Sequence, residues 1–350
     1  MSRRAVLTTA VVAAAGLAAA TWVRRVVLPA RPDDAATARP HRVPDPERRP
    51  SPDGTGVTIA VNRNSGPMWS SDPTDELRRG LPGARIRLLD GDDDIIEVLS
   101  DGEPVAVGAA GGDGTLSAAA EVALARDVVL VAVPSGTFNH LARDLGLEDV
   151  SDAIEAVRAG TAIHMDLGLV DIAGGASRTF VNTLTFGGYT QVVDTRERLQ
   201  PRLGKWLALL ASLVRELPRM EPLQLELDGE RTEVWLGWIG NGAYAPDGFG
   251  PSWRERLDDG QLDVRLVLGG RRLARVRFVV DVLIGRLQRC PVYRERLVDS
   301  LHGRSLSGPL RLAVDGETVD GGTAFDVTKR RRALLVAVPP ELTGVDGPSS

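Results

Sequence analysis

Short apolar runs alternate with helical patterns between Val57 and Pro134, and this alternation limits the fold more than any other feature of the chain. Four runs have the length and the β-branched content of buried strands: VTIAVN, ARIRLL, PVAVGAA and DVVLVAVP. Helical patterns lie between them, at residues 75–79, 94–100 and 116–125. Strands that alternate with helices form parallel sheets, and ligands bind at the carboxyl ends of such strands. The sequence therefore predicts a parallel α/β domain over residues 56–160.

Beyond residue 160 the pattern changes to strands with few helices among them. Runs such as RTFVNTLTF, EVWLGWIG and LDVRLVL predict a second domain, residues 161–340, built mainly from antiparallel sheet. Two helical patterns, at 203–217 and 273–287, interrupt it and carry arginines outside their apolar stripes. Such helices are typical of a surface that binds anionic lipid, but a core-packed helix with a solvated basic face has the same pattern.

The segment Gly111–Thr115, GGDGT, stands at the junction of the third strand and the following helix. Glycines let the backbone approach a ligand closely, and the N–H groups at a helix start favour an anion such as phosphate. Asp113 would repel a phosphate unless a cation lies between them, so it suggests Mg²⁺ or a general base. The alternative is an ordinary tight turn in which Asp113 caps the helix.

The amino terminus, residues 1–29, contains an uncharged run from Ala5 to Val23 that is just long enough to span a bilayer. It predicts a membrane anchor, although SRRAVL also resembles a twin-arginine export signal and AGLAAA offers small residues for cleavage. Arg24 and Arg25 favour retention of the following chain in the cytoplasm. We therefore expect the protein at the cytoplasmic face of the cell membrane, held there by this segment. Residues 30–55, rich in Pro, Arg and Asp, predict a disordered linker.

Composition excludes several classes of function. A net charge of −5 and few aromatic residues argue against a nucleic-acid partner. The single cysteine, Cys290, excludes an internal disulfide and any cysteine-based zinc site. The oligomeric state stays open, with a homodimer as one arrangement.

Five motifs occur in one order: NRNSG, GGDGT, PSGTFNHLARDLGL, DDGQLDV and DGE. Together they resemble the diacylglycerol-kinase catalytic domain family, the bacterial lipid kinases related to sphingosine and ceramide kinases, over Val57 to Pro339. The resemblance implies a Rossmann-like parallel α/β domain followed by a β-sandwich domain, with the active site in the cleft between them. Two positions depart from the family pattern: Arg63 replaces a usual proline, and His140 replaces a usual aspartate.

The resemblance also implies an activity, the ATP-dependent phosphorylation of a hydroxyl on a diacylglycerol-like lipid at a membrane surface, with ATP and Mg²⁺ as cofactors. It implies Glu317 as the proton acceptor and Asp113 as the second catalytic residue. The nucleotide-binding residues that it implies are Asn62, Ser65, Gly111, Gly112, Asp113, Gly114, Thr115, Leu116, Ser117 and Thr137. It implies a structural Mg²⁺ held by the side chain of Asp259 and by the backbone carbonyls of Arg256 and Gln261.

The same motifs are also compatible with other functions. DG is a strong hairpin signal, so Asp315 and Gly316 on their own predict a turn that leaves Glu317 merely exposed. A kinase of a soluble substrate, similar to NAD kinases, would share GGDGT, but the Asn-Asp/Glu pair for ribose recognition is not evident here. A membrane-associated regulatory protein that binds nucleotide with weak catalysis would tolerate Arg63 and His140.

Overall fold

The structure, a computed structural model, describes a set of segments between residues 41 and 340. They are residues 41–43, 46–62, 72–90, 93–136, 139–188, 221–245, 253–270, 277–278, 281 and 286–340.

The first half of the described chain is a parallel sheet between two layers of helices. The strands lie in the order β3, β2, β4, β5 and all pairs are parallel. The strands and helices of this half are β1 (His41–Arg42), β2 (Val57–Asn62), α1 (Thr74–Gly80), β3 (Arg85–Leu89), α2 (Ile95–Ser100), β4 (Ala106–Gly111), α3 (Asp113–Arg126), β5 (Val129–Pro134), α4 (His140–Asp144) and α5 (Val150–Ala159).

The helices cover both faces of this sheet, which explains why its central strands are apolar throughout. Every residue of β4 and β5 is buried. On one face the strands pack against α3 through Leu116, Ala119 and Ala123. On the other face they pack against α5 through Ile154 and Val157. Both faces of a parallel sheet need apolar side chains when helices cover them, and the sequence supplies them.

The second half is antiparallel, as the strand-rich sequence predicts. Its strands are β6 (Thr161–Ile172), β7 (Arg178–Phe180), β8 (Thr183–Gly187), β9 (Leu223–Leu227), β10 (Glu230–Asn241), β11 (Leu262–Leu268), β12 (Tyr293–Val298), β13 (Leu301–Ser305), β14 (Arg311–Val314), β15 (Glu317–Asp320) and β16 (Ala324–Ala337). Their apolar side chains form a separate core in which the Phe186 and Phe325 rings lie 5.5 Å apart.

Strand β16 connects the two halves. It pairs antiparallel with β6 over most of its length and then runs parallel beside β5, with Val336 opposite Leu130. Eleven strands therefore follow one another in a continuous path from β15 to β3, and β1, β6, β7, β11 and β12 pair beside this path. The predicted fold class, a parallel α/β half followed by an antiparallel β half, is confirmed. The domain boundaries at residues 160 and 340 stay predictions.

Part of the stretch predicted as a disordered linker is structured. Strand β1 pairs with the start of β6, and the Val43 N–H donates to the Gly160 carbonyl at 3.1 Å. Val43 is only 1% exposed because it packs in the core beside α5. Backbone pairing with β6 and the burial of Val43 together hold this part of the segment against the sheet.

The prediction that a spanning helix holds the protein at a membrane is wrong. In the part of the chain that the structure describes, no helix is both long enough and apolar enough to cross a bilayer. The longest described helix, α3, has 14 residues, whereas a span needs about 20. Residues 5–23, on which the prediction rested, lie outside the described residues. So do the helix predicted at 203–217 and most of that at 273–287.

Candidate active site

Two glycine-containing turns touch at the carboxyl edge of the parallel sheet. One is the segment Gly111–Thr115, here called the phosphate turn, which follows β4. The other contains Gly136 and follows β5. A side chain at Gly136 would lie 2.7 Å from the Gly111 carbonyl oxygen and from the Gly112 Cα atom. Glycine at position 136 is therefore required by the close approach of the two turns.

The phosphate turn is the beginning of helix α3 rather than a loop before it. The helix was predicted from residue 116, but it begins at Asp113 with Gly112 as its N-cap. The Leu116 N–H bonds to the Gly112 carbonyl at 3.1 Å, so the N–H groups before it have no acceptor within the helix. Added side chains at Gly112 and Gly114 would meet nothing within 4 Å, so this backbone faces open space. Such a helix start can bind an anion.

Asp113 ties the phosphate turn to the next helix. Its Oδ1 accepts the backbone N–H of His140, the first residue of α4, at 2.9 Å. Asn139, with φ of 48°, accepts the Gly136 N–H through its own Oδ1 at 2.7 Å. Burial lowers the pKa of the His140 imidazole despite the opposing carboxylates of Asp113 and Asp144. The imidazole is therefore neutral at pH 7, so Asp113 faces no positive charge from it.

The DGE motif at residues 315–317 forms the hairpin turn between β14 and β15. Asp315 and Gly316 both have positive φ, 47° and 95°, which is the geometry of a two-residue type I′ turn. Glu317 is the first residue of β15 and is exposed. The local geometry thus agrees with the simple hairpin that the DG pair predicts. The geometry of the turn does not by itself bring Glu317 close to Asp113.

The Asp315 carboxylate links this hairpin to α3. It accepts a hydrogen bond from the Ser117 hydroxyl at 2.6 Å. It also accepts the backbone N–H groups of Val181, Asn182 and Thr183, each at 2.8 Å. Burial raises the pKa of Asp315, and these four donors oppose that rise. Ser117 lies one helical turn after Asp113, so the hairpin stands beside the phosphate turn.

Sequence reasoning missed Asp315, and the chain itself shows why. An identical DGE at residues 228–230 forms the same kind of turn, with φ of 49° and 84°, between β9 and β10. There the Asp228 carboxylate bonds Arg296 at 2.7 Å and the His302 N–H at 2.9 Å, on the surface. The two hairpins differ in the hydrogen-bond partners of their aspartates. These partners are distant in sequence, so the DGE motif alone does not reveal them.

A buried ion pair lies behind the site and was also missed. Arg254 and Asp144, 0% and 1% exposed, are joined by an Nε–Oδ2 contact of 2.7 Å. Arg254 also donates to the carbonyls of Val181 and Asn241, at 2.9 and 2.8 Å, and lies over the Tyr244 ring. The pair therefore fastens α4 to the antiparallel half beside the residues that hold Asp315.

In the loop Arg256–Gln261, here called the acidic loop, the side chains bond to neighbouring groups of the protein. Asp259 accepts the Ala243 N–H at 2.7 Å and the Gln261 N–H at 2.9 Å. The Arg256 side chain pairs with Asp258, and that of Gln261 donates to Asp299. In the described residues no three His, Cys, Asp or Glu side chains form a group that could hold a metal.

A lysine ammonium already lies beside the acidic loop. The Nζ atom of Lys329 is 3.9 Å from Asp259 Oδ1 and 3.7 Å from Asp166 Oδ2. Burial lowers the pKa of Lys329 to about 8, while the two carboxylates oppose that shift. The ammonium is therefore mostly protonated at pH 7.

The remaining predicted residues fall in three groups. Gly111 and Thr115 belong to the phosphate turn, where a side chain at Gly111 would meet the Thr115 hydroxyl at 2.6 Å. Leu116 follows the turn and packs in the hydrophobic core. Asn62 is half-buried at the carboxyl end of β2, on the same edge of the sheet. Ser65 and Thr137 lie outside the described residues.

Comparison with known proteins gives one family. The model of the diacylglycerol kinase catalytic domain matches residues 57–170. A protein of Stenotrophomonas maltophilia named "Probable lipid kinase YegS-like" is 35% identical over 199 residues, which cover 52% of this chain and 63% of that protein. A diacylglycerol kinase of Mycobacterium tuberculosis is 29% identical over 188 residues, which cover 51% of this chain and 60% of that protein.

A solved structure has the same fold. The crystal structure of a diacylglycerol kinase from Bacillus anthracis superposes with a TM-score of 0.56 at 17% identity, covering 82% of this chain and 97% of that one. The sequence matches to the two relatives above span less than two thirds of their lengths. The glycine turns, α3 and the start of β6 all lie within residues 57–170, the region that the model of the diacylglycerol kinase catalytic domain matches.

Proposed function

We propose that the protein transfers the γ-phosphoryl group of ATP to a hydroxyl group of a diacylglycerol-like lipid. The observation that carries this proposal is the 2.6 Å hydrogen bond from Ser117 to Asp315. It joins α3, which begins at the phosphate turn, to the hairpin that carries Glu317. Phosphoryl transfer needs a phosphate site and a proton acceptor close to each other.

The phosphate turn is suited to the nucleotide. Its backbone N–H groups can hold phosphate oxygens, and the absence of side chains at Gly112 and Gly114 leaves room for them. Mg²⁺ arrives with ATP as part of the substrate, and Asp113 supplies a carboxylate that attracts it to this edge of the sheet.

Glu317 is the proposed general base. When the lipid hydroxyl oxygen bonds to the γ-phosphorus, the bond from that phosphorus to the bridging oxygen of ADP breaks, and the hydroxyl proton passes to the Glu317 carboxylate. Asp315 does not touch the reactants in this proposal. It fixes the base of the hairpin against α3 and so positions Glu317.

The lipid acceptor is supported by the family of residues 57–170 and by the names of the relatives. A soluble acceptor such as NAD is the competing substrate class. The two are separated by supplying the full-length protein with radiolabelled ATP and Mg²⁺ and comparing diacylglycerol in detergent micelles with NAD in solution. Label in the lipid supports the proposal, and label in NAD alone contradicts it.

The duplicated DGE motif provides a matched test of Glu317. Glu317→Gln should reduce phosphoryl transfer at least about a hundredfold, the usual range for loss of a general base. Glu230→Gln makes the same change in the other hairpin and should leave the rate unchanged. Equal rates for the two variants would show that Glu317 is only an exposed hairpin residue.

A further inference from the structure

Lys329 lies at a junction of segments that are far apart in sequence. It stands on β16 opposite Gly168 of β6, and its side chain is only 2% exposed. Its ammonium donates to Asn241 Oδ1 at 2.5 Å, at the end of β10. It also lies within 4 Å of Asp166 on β6 and of Asp259 in the acidic loop. One cation therefore contacts two strands besides its own and the loop.

The two carboxylates at this junction have further donors besides the ammonium. Four backbone N–H groups bond to them: those of Gly260 and Arg332 to Asp166, at 2.8 and 2.6 Å, and those of Ala243 and Gln261 to Asp259, at 2.7 and 2.9 Å. Each carboxylate thus accepts two N–H groups and shares one positive charge. Buried charges are stable only when they are paired and hydrogen-bonded in this way.

We propose that Lys329 is the built-in cation of the acidic loop and does there what a structural Mg²⁺ would otherwise do. A structural metal stabilises a fold by holding together oxygen ligands from separate segments. The Lys329 ammonium joins oxygens of Asp166, Asn241 and Asp259 in the same manner.

A divalent ion at Asp259 would have to add to a site that already holds a cation. It would lie close to the Lys329 ammonium and would be repelled by it, since like charges a few ångströms apart disfavour each other strongly inside a protein. Asp259 would also have to share oxygens that now accept the Ala243 and Gln261 N–H groups. The inference concerns this loop only and does not depend on the proposed kinase activity.

The test is thermal unfolding of the full-length, nucleotide-free protein at pH 7, in EDTA and across a titration with Mg²⁺ or Mn²⁺. The parent Tm should not change with either ion. Lys329→Met leaves the buried carboxylate of Asp166 and the half-buried one of Asp259 without their cation. It should lower the Tm in EDTA by roughly 5–10 °C. Mg²⁺ should then raise the Tm of this variant, because the vacated site attracts another cation.

The matched control is Arg330→Met, which removes the same charge from the next residue of β16, where the side chain is exposed. Its Tm should equal that of the parent. If Lys329→Met does not fold, Asp259→Asn serves instead: its Tm should be lower than that of the parent by the same amount with and without Mg²⁺. The proposal is overturned if Mg²⁺ raises the parent Tm and Asp259→Asn abolishes that rise, or if Lys329→Met melts like Arg330→Met.

Discussion

Asp113 places a negative charge at the start of α3, where the helix carries positive partial charge. Its Oδ1 accepts the His140 N–H and so holds the phosphate turn against the start of α4. The residue therefore has a structural contact and, in the proposed reaction, an electrostatic task toward the Mg²⁺ that accompanies ATP. The two can be separated, because the contact needs only an oxygen and the task needs a charge.

Asp113→Asn keeps an oxygen that can accept the His140 N–H but removes the charge. We expect an unchanged Tm and a loss of phosphoryl transfer of about a hundredfold, the scale of one main electrostatic contact. Glu121→Gln is the control, since it neutralises an exposed carboxylate farther along the same helix. Unchanged turnover of Asp113→Asn at saturating ATP and Mg²⁺ would rule out the electrostatic task.

At the scale of elements, the site depends on the contact between α3 and the β14–β15 hairpin. Ser117 and Asp315 are the contact, and they come from opposite halves of the chain. The other three donors to Asp315 are the two residues between β7 and β8 and the first residue of β8. Without the Ser117 hydroxyl, the hairpin thus stays in place in the antiparallel half. It loses the hydrogen bond that fixes its position relative to α3.

Ser117→Ala should therefore lower kcat more than it raises the KM for ATP, because the base is mispositioned while the phosphate turn is intact. It should also cost about 1.5–3 kcal/mol of unfolding free energy, the range for a hydrogen bond to a charged group. Ser177→Ala removes a hydroxyl that donates to Asp171 on the surface and should have little effect on either quantity. Equal effects of the two substitutions would contradict the role of the α3–hairpin contact.

The elements themselves could be predicted from the sequence because their causes are local. Apolar runs indicate β4 and β5, and alanine-rich segments indicate α3. The true start of α3 was missed because Asp113 and Gly114 are poor helix formers on local propensity alone. The role of Asp315 could not be predicted, since its partner Ser117 is almost two hundred positions away, and since Asp228 is followed by the same Gly-Glu pair.

At the scale of the whole molecule, the two halves are fastened by β16 and by the buried pair of Arg254 and Asp144. Removing one partner of a buried pair leaves an uncompensated charge. Arg254→Met should therefore lower the free energy of unfolding by about 3–5 kcal/mol, measured by urea denaturation.

The surface pair of Arg296 and Asp228 has the same 2.7 Å separation and is partly exposed. Arg296→Met should cost less than about 1 kcal/mol, because water replaces the lost partner. If both variants lose the same stability, the buried pair contributes no more than a surface contact to holding the halves together.

The position of β16 beside β5 has a consequence for synthesis on the ribosome. Leu130 of β5 emerges early, but its neighbour Val336 emerges only after the whole antiparallel half has been translated. During that interval the nascent parallel sheet exposes the unpaired backbone of β5 at one edge, and such edges invite aggregation. The parallel sheet thus gains its neighbouring strand β16 only at the end of translation. A chaperone that shields the edge of β5 would therefore protect the nascent chain.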